Sequence, residues 1–109
     1  MPRVFVSLVV LNLADVATDS GGLPGIEVTD TRNLTESLNH LMTTVGLLPN
    51  LGTVKLVGVV SEAGAVQIGY RVRTRSMSLA PGFKWEPVST RLNGYQRALL
   101  DRAWEGEQT

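Results

Sequence analysis

The chain has 109 residues, enough for one domain with a modest core and little room for a second. Ten basic residues balance ten acidic ones, so the excess of positive charge that a general nucleic-acid or membrane-surface binder needs is missing. There is no cysteine and only one histidine, which excludes disulfides, thiolate nucleophiles, cysteine-ligated zinc and a histidine-rich metal site.

Residues 4–13 form an apolar, β-branched run with Ser7 and Asn12 inside it and Arg3 before it. The run reads as a strand covered on both faces rather than as a secretory segment. No other stretch is long enough to span a membrane, and a cytoplasmic location is expected. Residues 14–20 are small and polar and read as a loop, and the glycine-rich residues 21–25 read as a sharp turn. That turn lacks the Lys-Ser/Thr of a phosphate-binding P-loop. Residues 26–29 suit a short strand. Asp30 or Thr31 can cap the helix that follows, in which Leu34, Leu38, Leu41 and Val45 make one apolar stripe and Gly46 supplies the stop.

Two strands are expected next, over 53–61 and 65–75, joined by a turn at 62–64. In the second, Val66, Ile68, Tyr70 and Val72 alternate with Gln67, Gly69, Arg71 and Arg73. Residues 76–89, containing Phe83 and Trp85, read as a loop. Residues 91–104 read as a closing helix with Leu92, Tyr95, Leu99, Leu100, Ala103 and Trp104 inward, and the last five residues are expected to fray. The fold class is therefore α/β in the α+β sense: one domain with a small mixed sheet flanked by two helices. A ferredoxin-like arrangement is the alternative, since without residues 26–29 the order is β-α-β-β-α.

Residues 25–47 carry the frame G-x5-E-x7-REUxEExGU, with U aliphatic. Gly25, Leu41, Gly46 and Leu47 match it, while Thr31, Asn39, His40, Thr43 and Thr44 stand where its charged residues belong. Leu23-Pro24-Gly25 before the frame, strands on both sides and Trp-Glu-Pro-Val at 85–88 leading into the last helix complete the likeness. The chain thus resembles a Nudix hydrolase domain, trimmed between its first strand and the box. The resemblance implies a family that cleaves phosphoanhydrides with Mg²⁺ held by helix glutamates. Here an imidazole and two hydroxyls replace those carboxylates, so the expectation is a domain without a metal cofactor.

Two functional readings remain. In the first, a small polar or anionic metabolite binds in the former catalytic cavity, and His40, with Glu36 one helical turn before it, performs metal-independent acid/base chemistry such as isomerisation, cyclisation or elimination. Asn39, Thr43, Thr44, Glu27, Tyr70, Arg71, Arg73 and Trp85 are the candidate ligand-binding residues. Arg71, Arg73 and Arg75 suit a carboxylate or phosphate, or else a solvated strand face. In the second, the domain is a non-catalytic regulatory or partner-binding module. A small-molecule ligand and a homodimer are the expected partners.

Overall fold

A computed structural model describes residues 3–19, 22–29, 33–47, 54–62, 64–75, 78–92 and 94–108. Strand β1 (Arg3–Asn12) is the spine of the molecule. It runs parallel to β5 (Ala65–Arg73) in a register from Arg3↔Ala65 to Leu11↔Arg73. Its other edge is shared. β3 (Gly25–Val28) pairs antiparallel with Val4–Ser7, and β2 (Asp15–Thr18) pairs with Leu11 and Asn12. β4 (Lys55–Glu62) lies outside β5, and β6 (Lys84–Pro87) lies outside β2, giving the order β4-β5-β1-β2-β6 with β3 beside β1.

Being paired on both edges and covered on both faces explains why β1 reads as a continuous apolar run. Val6, Leu8 and Val10 point to one face, where they pack with Leu38, Leu41, Met42 and Val45 of helix α1 (Leu34–Val45). Val9 and Leu11 point to the other, where they meet Leu99, Leu100 and Ala103 of helix α2 (Gly94–Gln108). The helices therefore cover opposite faces of a mixed sheet. That sets aside the ferredoxin-like alternative, whose helices share one face.

Several expectations are corrected in detail. The segment read as a polar loop at 14–20 contains β2, and the segment read as a loop at 76–89 contains β6. β6 pairs with β2 through Ala17↔Trp85. The cap of α1 is Asn33, whose side-chain oxygen accepts from Glu36 N at 2.8 Å; Asp30 and Thr31 lie outside the described residues. Helix α2 runs on to Gln108 rather than fraying after Trp104. Gly46 does end α1, at φ 104°, with its N–H donating to the carbonyls of Met42 and Thr43.

Candidate functional site

The split edge of β1 creates a cleft. β3 leaves β1 near Ser7 and β2 joins it near Leu11, and Gly22 and Leu23 lie on the α2 side of the sheet, against Gln96 and the Leu99–Leu100 cluster. A cleft of about 340 Å³ opens there, between β1, β3 and the first turn of α2. Two rows of paired residues form its floor. One row is Glu27–Phe5–Gln67 across β3, β1 and β5, and the next is Gly25–Ser7–Gly69. Tyr95 and Gln96 of α2 stand over the floor, and Asp19 and Leu23 close the side.

The polar groups of this cleft are unusually deep. Ser7, Gln67 and Gln96 are all buried. Gln96 Oε1 accepts from Leu23 N at 3.4 Å, and its Nε2 donates to the Tyr95 hydroxyl at 3.3 Å. Any side chain at residue 22 would occupy the place of the Gln96 carboxamide, so Gly22 makes that seat. At the mouth, Arg3 Nε donates to Glu27 Oε2 at 2.7 Å, and the guanidinium lies 4.9 Å above the Phe5 ring. The hydrogen bond from Arg3 holds the Glu27 carboxyl below the usual carboxylate range.

The residues singled out on α1 lie elsewhere. His40, Thr43, Thr44 and Glu36 are exposed and Asn39 is half-buried, on the side of the helix away from its apolar stripe. The hydroxyls of Thr43 and Thr44 donate to the carbonyls of Asn39 and His40 at 2.9 and 2.8 Å. Glu36 Oε1 accepts from Asn33 Nδ2 at 3.5 Å and so serves the helix start. Tyr70 and Trp85 pack against the α1-side core, whereas Arg71 lies on the α2 side, its Nη1 donating to Ala103 O at 3.4 Å. Arg73 and Arg75 line a separate cleft of about 550 Å³ at the far end of β1, with Asn12 and Leu13. Among the predicted ligand-binding residues, Glu27 alone lines the cleft beside α2.

No protein-family model and no characterised protein matches the chain by sequence. Shape gives a different result. The NUDIX domain of Shewanella oneidensis NrtR, solved in complex with ADP ribose, superposes with a TM-score of 0.80 at 15% identity, over 98% of this chain and 89% of that one. A MutT/nudix family protein from Enterococcus faecalis gives 0.79 at 12% identity, over 97% of this chain. This chain has the Nudix fold.

It spans 62% of the Enterococcus protein's length. The C-terminal domain of mouse MUTYH, solved in complex with human PCNA, superposes with a TM-score of 0.74 at 12% identity, over 100% of this chain and 92% of that one. Gly25 opens β3 and Gly46 ends α1, so the stretch in which the sequence reading placed the frame runs from β3 through α1. The residues that sequence reasoning missed are Phe5, Ser7, Asp19, Gln67, Tyr95 and Gln96. One signal was available. Gln67 and Gln96 are polar residues at positions whose neighbours on the same face, Gly69 and Leu99, pack together in the core.

Proposed function

We propose that this chain is a ligand-binding Nudix-fold domain that takes a small polar metabolite in the cleft between β1, β3 and α2 and does not run metal-dependent hydrolysis. The carrying observation is the convergence of three buried polar side chains, Ser7, Gln67 and Gln96, on one cleft with apolar residues Phe5 and Leu23 beside them. Convergent polar groups with apolar residues beside them are what orient a small molecule in a binding site.

The donor set on α1 supports the second half of the reading. Mg²⁺ favours anionic oxygen ligands in octahedral geometry. His40 offers a nitrogen, and the Thr43 and Thr44 hydroxyls already donate to helix carbonyls. Among the described residues no three histidine, aspartate or glutamate side chains gather as a metal site. Acid/base chemistry through His40 and Glu36 finds no support in their placement, because both face solvent on a different element from the cleft. The ligand site therefore moves from α1 to the opposite face of the sheet.

Neighbours of the same fold are seen in complex with ADP ribose in one case and with the protein PCNA in another. The buried polar cleft favours the small-molecule reading here. No helix among the described residues is long and apolar enough to cross a membrane.

The test is a metabolite screen by thermal shift, with and without Mg²⁺, followed by amide chemical-shift mapping of each hit. The expected result is a Mg²⁺-independent ligand that perturbs residues 5–7, 25–27, 67 and 95–96. Mg²⁺-dependent hydrolysis of a nucleoside diphosphate derivative would overturn the reading. A screen without a single hit would replace it with the partner-binding module.

A further inference from the structure

The three buried polar side chains of the cleft are not equally satisfied. Gln96 has partners for both ends of its carboxamide, Leu23 N and the Tyr95 hydroxyl. Gln67 differs: it is 8% exposed, and its side-chain oxygen is buried with no hydrogen-bond partner. A buried carbonyl in that state opposes folding, and an apolar side chain of similar volume would not. Packing therefore gives no reason for a glutamine at the centre of the Glu27–Phe5–Gln67 row, whereas a ligand in the cleft does.

The surrounding charges restrict what that ligand is. Both charged side chains lining the cleft, Asp19 and Glu27, are acids, and among the described residues no lysine or arginine lines it. Arg3 stands outside the lining, bonded to Glu27 and stacked on Phe5. A carboxylate or phosphate entering here would meet the like charge of Asp19 and Glu27, with no cationic side chain in the described lining to offset it. A nitrogen-borne proton would meet acceptors suited to it. As placed, that oxygen is turned away from the cleft; rotating the Gln67 carboxamide about its last bond exchanges oxygen and nitrogen, so the oxygen can turn to the cleft and accept from a ligand donor.

We propose that Gln67 is the specificity-determining residue of this cleft and that its ligand presents an N–H donor on a neutral or cationic amide, amidine or amine rather than a carboxylate or phosphate. This rests on the cleft being the ligand site, and it narrows the expected polar or anionic metabolite to the non-anionic half. The apolar side chains of Phe5 and Leu23 and the ring of Tyr95 suit a flat group carrying that donor.

Three probes of one shape and different charge make the test: benzamidine, benzamide and benzoate, titrated into the full chain and followed by amide chemical shifts. Benzamide or benzamidine is expected to move the signals of residues 5–7, 25–27, 67 and 95–96, and benzoate to bind at least about tenfold more weakly. Gln67→Leu, and independently Gln67→Met, should abolish the preference while leaving the melting temperature unchanged or raised. Benzoate binding the cleft as tightly as benzamide, or either variant keeping the preference, overturns the proposal. So does a lowered melting temperature in both variants, which would make Gln67 structural. If no probe binds but the metabolite screen delivers an anion that maps to the cleft, the cleft reading stands and this proposal fails. If hits and probes map elsewhere, or nothing binds at all, both fail.

Discussion

Gly69 of β5 and Leu99 of α2 compete for the same volume. A Cβ built on Gly69 would lie 2.5 Å from Leu99 Cδ2 and 3.0 Å from its Cδ1, and Leu99 is fully buried. This contact sets how closely α2 approaches the sheet, and therefore the height of the cleft whose floor continues from Gly69 through Ser7 to Gly25.

Gly69→Ala is therefore expected to destabilise the fold by about 1–3 kcal/mol, the usual cost of overpacking a filled core. Leu99→Ala alone should cost about 2–5 kcal/mol. The double variant should cost less than the sum, because the truncated leucine makes room for the methyl group. Urea denaturation of the four proteins reads the coupling directly. Additive losses would show that the two side chains do not share this space. Ligand affinity should fall in Gly69→Ala as well, since lifting α2 separates Tyr95 and Gln96 from the floor.

The β1–β2 hairpin turns on Leu13 and Ala14, between the Asn12↔Asp15 pair. Leu13 has φ 53° and is 84% exposed. A positive φ at the first position of a two-residue turn favours glycine, and a branched side chain there is strained. Leu13→Gly should stabilise the chain by up to about 1 kcal/mol, the relief of strain exceeding the added chain entropy. Thermal and urea unfolding check the sign; a loss of stability would mean that the turn draws more from the leucine side chain than its exposure allows.

The same turn shows why part of the sheet was illegible. Pattern placed β1 and β4 as apolar β-branched runs, β5 by alternation, α1 and α2 by a helical stripe, and the short β3 by the glycine-rich turn before it. β2 and β6 escaped notice for physical reasons. Each has four residues, too few to show alternation, and the Leu13-Ala14 turn has none of the usual hairpin residues. The cleft was harder still. Phe5, Gln67 and Glu27 are far apart in sequence and meet only through two strand registers, one parallel and one antiparallel. Nothing local marks Gln67 as unsatisfied. His40 is conspicuous in the sequence because the Nudix frame has a glutamate there, yet its helix presents it to solvent.

Two exposed-edge carboxylates give the acid limb of stability. Glu86 accepts from the Thr90 hydroxyl at 2.8 Å and pairs with Lys84 at 3.0 Å, and Glu27 accepts from Arg3 at 2.7 Å. The bond from Thr90, then that from Lys84, holds Glu86 below its ordinary value; the bond from Arg3 does so for Glu27. A carboxyl whose pKa falls on folding contributes stability that is fully present above its unfolded value, about 4.3 for glutamate, and is lost as pH drops through the folded value. The melting temperature should therefore decline below about pH 4. Glu86→Gln should melt lower at neutral pH and show a shallower decline. An unchanged acid limb in that variant would mean that these bonds do not persist in solution.

Helix α1 offers a sharper experiment than deletion. His40, Thr43 and Thr44 stand one turn apart on the exposed side of α1, and the two hydroxyls are turned inward to helix carbonyls. Added Mg²⁺ should then leave the melting temperature of the wild type unchanged. His40→Ala should alter stability by no more than about 0.5 kcal/mol, as surface substitutions do, and leave ligand binding intact. Replacing all three by glutamate places like charges three and four residues apart, and each such pair costs about 0.2–0.5 kcal/mol in a helix. The triple variant should melt lower than wild type in chelator and recover when Mg²⁺ is added, because the cation relieves a repulsion that the natural side chains never create. A Mg²⁺-dependent rise in the wild type would show that other groups supply the missing carboxylates, and the domain would return to the metal-dependent reading.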